Sequence, residues 1–424
     1  MTFTRLVRQL FESLRTVWLV LGVTLAFLFV LELCVRVTHY VAERQRARRL
    51  AAVPASLRDP QESEPWFADF TREYDATRPQ RWKSYVYFGR KPSFKGRYVN
   101  IDADGHRVTP QPSIPAEPAA RVFFMGGSTM WGTEQRDSAT IAAVAAQRLQ
   151  GLAGPAGRIE VTNFGESGYV NTQELLELML ALRAGKRPDV VVFYDGINDV
   201  GTTVQYGVAG IPQNESKRVA EFDLGRAIDR SGFAQGVGKD LRALGALTGE
   251  ALKQSELVET VLSAKRAPEQ RYIAADTAAR SVVSAYRENV RVIESMARAY
   301  GFVPIYVWQP SVHSTRKKLT PFEQRVRRQI AADSFQARLR DVQLAVPALL
   351  DPVMDSIAPG RFVDADRIFD DDTLVVFVDR IGHNAERSVP RIVDAFWPKL
   401  EAAVTPRLHQ SRTGAPLVTS SQGR

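Results

Sequence analysis

Three short segments of this 424-residue chain carry residue types suited to nucleophilic chemistry, and each directly follows an apolar run. Gly126-Gly127-Ser128-Thr129 follows RVFFM, Asn163-Phe164-Gly165-Glu166-Ser167-Gly168 ends IEVTNF, and Asp195-Gly196-Ile197-Asn198-Asp199 follows DVVVFY. A serine after two glycines at a strand end can expose its hydroxyl and its backbone N–H together. A downstream glycine lets the backbone approach a reacting oxygen, and an asparagine side chain adds a further donor. Such a set makes a nucleophile with a three-donor oxyanion hole.

A serine needs a base, and histidine is the usual one. The chain has five. His39 sits beside an apolar span and His409 near the C-terminus, which leaves His106, His313 and His383. His383 lies in FVDRIGHNAERS, ahead of an amphipathic stretch, VPRIVDAFWPKL, that reads as the last helix. Asp379, four residues upstream, is near enough to orient the imidazole. A single histidine near an aspartate is more often structural than catalytic, so the pair acquires weight only with the rest of the set. His106 in DADGHR reads as a turn residue and His313 as a loop residue. Trp131, close behind Ser128, fits an acyl pocket or the core equally well, and Gln309 ends a strand on the side where substrate would lie.

These residues need a scaffold that gathers strand ends. Arg121–Met125, Ile159–Phe164, Asp189–Tyr194 and Phe302–Trp308 are short apolar runs bounded by Gly, Pro or Asp, the pattern of strands buried on both faces. Between them Ser138–Leu152, Thr172–Arg183 and Thr277–Tyr300 read as helices, the last closed by Gly301. This alternation predicts an α/β fold with a parallel sheet between two helical layers. In such sheets ligands bind beyond the carboxyl ends of the strands, where the three segments lie. Residues 203–275 read as a mostly helical insertion, residues 38–120 as a stalk and an irregular region leading into the main domain at 121–404, and residues 405–424 as a disordered tail.

Charge and composition narrow the function. The net charge is +9, with 56 Lys/Arg against 47 Asp/Glu. Five of those net charges fall in residues 1–50 and three in residues 405–424, so the body is near neutral and a basic nucleic-acid face is excluded as the leading idea. Cys34 is the only cysteine, which excludes intrachain disulfides and cysteine zinc clusters. No His-Glu-x-x-His, EF-hand or Gly-x-x-x-x-Gly-Lys pattern occurs, so neither a metal nor a cofactor is expected. Thr16–Val35 is an apolar run whose one charge is Glu32, long enough for the ~30 Å hydrocarbon layer. With a basic segment at 1–15 before it and arginines rather than a small-residue cleavage site after it, residues 16–37 are expected to form a retained single transmembrane helix. Arginines on both sides leave its orientation open on charge alone.

Taken in order, Ser128, Gly168, Gly196-Ile197-Asn198-Asp199 and His383 resemble the blocks of the SGNH hydrolases, the GDSL-like lipases and esterases. The likeness spans roughly residues 120–404, and Gly-x-Asn-Asp after a buried strand is its most specific part. It implies a three-layer α/β/α fold similar to flavodoxin, with Ser128 as nucleophile and His383 as base. It also implies an oxyanion hole of the Ser128 and Gly168 N–H groups and the Asn198 amide. Two blocks depart from the pattern. The first reads Gly-Gly-Ser-Thr rather than Gly-Asp-Ser-Leu. The last, Asp379-Arg380-Ile381-Gly382-His383, has one residue more than Asp-x-x-His. Either a bulge at Gly382 restores the geometry with Asp379 as partner, or Asp370, Asp371 or Asp372 serves.

The expected activity is acyl transfer through an acyl-serine, on an ester such as an O-acyl group of an envelope glycan or a lipid. Alternatives are an O-acyltransferase of polysaccharide modification and a non-catalytic interaction protein keeping the fold. By analogy with anchored members of the superfamily, the body is expected outside the cytoplasmic membrane.

Overall fold

The computed structural model describes residues 3–51, 53–113, 117–154, 158–230 and 273–413. The chain divides into two units: residues 1–54 with 214–268, and residues 55–213 with 269–424. In the first, the described residues form helices Phe3–Ala51 and Glu215–Arg230. Trp18–Ala42 of the long helix has a mean hydropathy of 2.4 and none of it is buried. It is the one helix among the described residues long and apolar enough to cross a membrane. Its internal acid, Glu32, accepts a hydrogen bond from Arg36 Nε one turn on, at 2.8 Å, which pairs that charge within the helix. The helical insertion expected at 203–275 lies largely outside the described residues.

The second unit opens with two single turns, Ala55–Leu57 and Pro60–Ser63, then helix Phe67–Thr77 and an antiparallel hairpin, β1 (Gln80–Lys83) and β2 (Tyr87–Arg90). A five-stranded parallel sheet follows, made of β3 (Ala120–Gly126), β4 (Ile159–Asn163), β5 (Val190–Asp195), β6 (Val303–Trp308) and β7 (Phe362–Asp364). The spatial order is β4-β3-β5-β6-β7. The first three strands thus run second, first, third, the order of flavodoxin-like sheets. The place where it reverses, between β3 and its neighbours, is where such folds form a crevice. Register is fixed by pairs such as Phe124 opposite Asn163 and opposite Val192.

Successive strand residues point to opposite faces, and here both faces are apolar. Val122, Phe124, Val190, Val192, Ile305 and Val307 pack on one side under helices Ile141–Ala153, Pro321–Ala332 and Val389–Thr413. Phe123, Met125, Val191, Phe193, Tyr306 and Trp308 pack on the other under Asn171–Arg183, Ile197–Tyr206, Ala275–Tyr300 and Ser334–Ile357. Each such side chain, fully buried, stabilises the fold by about 1.5–3 kcal/mol relative to exposure. Helix Ala275–Tyr300 shows how the pattern is read. Val282, Tyr286, Val290, Ile293 and Ala297, at spacings of three and four, are its buried stripe.

The C-terminal boundary corrects an expectation. The tail anticipated from residue 405 does not start there, because the last helix continues to Thr413. Leu408 is buried, and Arg407 donates to the Gly301 carbonyl at 2.8 Å and pairs with Asp189 at 3.2 Å. Those contacts order a stretch whose composition alone reads as unstructured. Residues 414–424 lie outside the described residues.

Candidate active site

Ser128 opens a one-turn helix, Ser128–Trp131, at the carboxyl end of the first strand of the main sheet. As the first helical residue its N–H has no partner within the helix. The glycine before it is required by packing. A Cβ on Gly127 would lie 2.2 Å from Asn198 Nδ2, so any larger residue would drive that amide away. Asn198 stands in the first turn of helix Ile197–Tyr206, directly after β5. Its Nδ2 donates one hydrogen to the Tyr169 carbonyl at 2.8 Å. An amide has two such hydrogens, and the second remains for a ligand. Gly168, after β4, makes no hydrogen bond from its N–H among the described residues.

The loop from Phe377 to Asn384 brings His383 to the serine. His383 Nε2 lies 2.7 Å from Ser128 Oγ, and its Nδ1 lies 2.5 Å from Asp379 Oδ2. With Nδ1–H donating to the carboxylate, Nε2 is left to accept the serine O–H. The other Asp379 oxygen accepts from the N–H groups of Ile381 and Gly382, both at 2.9 Å, and of His383 at 3.1 Å. The extra residue in this block is absorbed at Gly382, whose φ of +97° is open to glycine and strained for other residues.

The three other aspartates weighed as partners stand elsewhere. Asp370 accepts from the Arg316 N–H at 3.2 Å, Asp371 pairs with Arg391, and Asp372 caps the Leu374 N–H at 2.8 Å.

Electrostatics favour this arrangement. Burial disfavours a charged His383, but the Asp379 carboxylate, its hydrogen bond and the charge of Glu134 outweigh that, and the imidazole is held above its ordinary pKa. Burial likewise raises Asp379, yet the charge and hydrogen bond of His383 with the backbone N–H groups hold it down at about 2. The carboxylate therefore stays ionised wherever the histidine can act as a base.

Several supporting residues carry no motif of their own. The segment after the Ser128 helix is laced to the residues after His383. Gln135 Nε2 donates to the Asn384 carbonyl at 3.1 Å, and the Arg136 N–H donates to Glu386 at 2.6 Å, with the guanidinium on the same carboxylate at 2.7 Å. Gln61 clips both sides, donating to the Glu134 carbonyl at 3.3 Å and accepting from the Glu386 N–H at 2.7 Å. Behind Asn198, Asp199 caps the Asn171 N–H at 3.0 Å, and Asp195 accepts from Tyr286 at 2.9 Å and Asn171 at 3.1 Å. Burial raises the carboxyls of Asp195, Asp199 and Glu174, and repulsion from Asp195 adds to it at Asp199 and Glu174, so this cluster holds protons that ordinary carboxyls release. The Asp199 of the Gly-x-Asn-Asp block thus ties the start of the Asn198 helix to Asn171, just past the loop that carries Gly168.

The remaining sequence candidates fall outside the reacting centre. Trp131 is fully buried between two guanidiniums, Arg90 and Arg107, each 4.4 Å from its ring centroid. It is a core residue that lines no acyl pocket. His106 is buried against Phe164, 3.6 Å from Asp102 and 3.9 Å from Glu177. Gln309 is buried, with its side chain against Gly196. His313 is pushed down to about 4 by burial, so it is neutral, and its Nε2–H donates to the Arg380 carbonyl at 2.9 Å. That contact braces the loop carrying Asp379 and His383. Among the described residues no cluster of His, Cys, Asp and Glu suits a metal ion.

No family model matches the chain, and the search of characterised proteins finds no match. Solved structures similar to it include an acetyl xylan esterase, AlAXEase, at 11% identity over 66% of this chain and 99% of that one, with a TM-score of 0.35. Another is a lipolytic protein of the G-D-S-L family from Desulfitobacterium hafniense, at 10% identity over 68% and 99%, with a TM-score of 0.31. A third is Axe2, an acetylxylan esterase from Geobacillus stearothermophilus, at 14% identity over 68% and 95%, with a TM-score of 0.30.

Proposed function

We propose that the chain is a serine esterase of SGNH type, tethered to a membrane by its N-terminal helix, that cleaves an ester through an acyl-serine. One observation carries the reading: a continuous hydrogen-bonded line from Asp379 through His383 to Ser128, which directly follows the glycine that the Asn198 amide packs against. His383 takes the Ser128 proton as Oγ attacks the carbonyl carbon. The charge then moves to the carbonyl oxygen, where the Ser128 and Gly168 N–H groups and the Asn198 amide meet it. The tetrahedral centre collapses, His383 returns the proton to the departing alcohol, and the acyl group stays on Ser128. Water, deprotonated by the same imidazole, releases the acid.

The intact line of contacts speaks against a degenerate, non-catalytic site. Transfer to an acceptor hydroxyl is a second reading, in which the acceptor takes the place of water; a cleft of about 500 Å³ lined by Ala385 and Glu386, which follow His383 in the chain, with Trp66 and Leu374, is a candidate place for it. The body is proposed to lie outside the cytoplasmic membrane, which a C-terminal reporter fusion reads directly.

The deciding experiment is covalent labelling. A fluorophosphonate probe should modify the wild-type chain and not Ser128→Ala, and p-nitrophenyl acetate turnover should vanish in parallel. An unlabelled wild type, or a Ser128→Ala protein as active as its parent, would overturn the proposal. Turnover that accelerates when a polysaccharide is added, with acetyl appearing on it, would assign the transfer reading.

A further inference from the structure

A second cavity, of about 140 Å³, opens beside the oxyanion donors, and Gly168 and Asn198 are part of its wall. Ile381, from the catalytic loop, closes another side. A substrate whose carbonyl oxygen is held at Gly168 and Asn198 has this space beside it for one of its substituents.

The lining has an unusual chemistry for a chain with 24% charged residues: it contains no charged side chain. Its polar surface is instead made of amides, Gln205, Gln213 and Gln336 with Asn198, and the Thr202 hydroxyl. Gln205 and Thr202 share helix Ile197–Tyr206 with Asn198, so the strand end that supplies an oxyanion donor also supplies part of this wall. Gln213 lies over the backbone of Gly168, where its Oε1 would be 2.4 Å from an added Cβ. The Oε1 of Gln336 is buried and accepts no hydrogen bond among the described residues. A buried amide oxygen without a partner costs free energy, which a ligand hydroxyl would recover if the Gln336 side chain turned its amide into the cavity. Phe335, Leu339 and Ile197 supply an apolar floor.

Amides both donate and accept, which matches hydroxyl groups in either sense and gives a carboxylate or phosphate no counter-charge. A cavity of this volume takes a guest of about the size of benzene, which matches the six-membered ring of one sugar with its substituents toward the open side and is far short of a long acyl chain. We infer that this cavity binds a neutral, hydroxyl-rich alcohol moiety, one uncharged glycosyl unit, and so selects acylated neutral glycans over anionic glycans and lipids. The inference rests on the serine esterase reading and narrows its substrate class.

The test uses the full chain in detergent and two small esters, a monoacetylated methyl glucoside and the matching methyl glucuronide, with p-nitrophenyl acetate as reference. The glucoside ester is expected to exceed the glucuronide ester in kcat/KM by about tenfold or more. Gln336→Leu and Gln205→Leu should each lower the ratio of glucoside ester to p-nitrophenyl acetate by about tenfold. Using two separate positions guards against one variant that folds poorly, and fluorophosphonate labelling shows that each retains its machinery. Equal turnover of the two sugar esters, or variants that leave the ratio at the wild-type value, would overturn the inference while the esterase reading stands. A wild type that takes no fluorophosphonate label would overturn both.

Discussion

Replacing Asn198 tests the catalytic reading at its most quantitative point. Of the two amide hydrogens on Asn198 Nδ2, one is committed to the Tyr169 carbonyl at 2.8 Å. In the proposed mechanism the other is one of three donors that meet the developing oxyanion. Losing a single donor of this kind costs about 10²- to 10³-fold in rate, or roughly 2.7–4 kcal/mol of transition-state stabilisation. Asn198→Ala should therefore lower kcat for p-nitrophenyl acetate by that factor with little change in KM, because the ground-state carbonyl carries little charge. Asn198→Asp should be worse, since a carboxylate of the same shape repels the oxyanion. Gly127→Ala provides an independent arm, removing no donor but placing a Cβ 2.2 Å from Nδ2. It should reproduce most of the Asn198→Ala loss. The assay is steady-state hydrolysis by full-length protein, with Ser128→Ala as the floor. If Asn198→Ala retained kcat within about threefold of wild type, the assignment of the oxyanion hole would be wrong. The esterase reading would then have lost its strongest electrostatic support.

Further outcomes follow from the same contacts. Because Asp379 holds His383 above its ordinary pKa of 6.5, wild-type kcat/KM should rise with pH along a limb centred above 6.5, and Asp379→Asn should move that limb to lower pH while cutting the rate by about 10²-fold or more. A limb that does not move would show that Asp379 leaves the imidazole untouched. The same carboxylate links stability to acidity. Its folded-state pKa of about 2 lies below the ordinary 3.8, so its contribution is present above about pH 4 and is lost as pH falls toward 2. Melting temperatures taken over that window should fall more steeply for wild type than for Asp379→Asn. Trp131→Ala should destabilise the fold by about 3–5 kcal/mol in urea titrations, because it empties a buried site and leaves Arg90 and Arg107 facing each other without the ring between them. A loss under about 1 kcal/mol would contradict the core assignment.

The elements that position the site were legible where one physical signal dominates. Val190–Asp195 is buried at every position, and all of it up to Asp195 is an apolar run. The two central strands beside it read the same way. Where signals compete, the sequence misleads or stays silent. The edge strand Phe362–Asp364 is three residues long and only partly buried, too short for any period. Helix Ser334–Ile357 contains Pro347 and Pro352, which usually end helices; here burial of Leu339, Val342, Val346, Leu350 and Met354 against the sheet outweighs two missing hydrogen bonds. Trp131 was ambiguous because the two arginines that sandwich it come from positions 90 and 107, and no local spacing relates them to it.

The partner of His383 shows most directly what a motif does and does not encode. A rule of two intervening residues describes a common way to place a carboxylate beside an imidazole, whereas the chemistry asks only that one oxygen reach Nδ1 with the other oxygen satisfied. Asp379 meets both conditions with three intervening residues. One of its oxygens faces the imidazole, and the other gathers the N–H groups of residues 381, 382 and 383 into a tight turn. That turn is possible because Gly382 takes a backbone conformation closed to most residues, and it is braced from outside by His313 on the Arg380 carbonyl. The added residue is therefore compensated by two features separated by about seventy positions. Counting residues within the block sees only the first of them, so the departure from the family spacing looked more serious in sequence than it is in space.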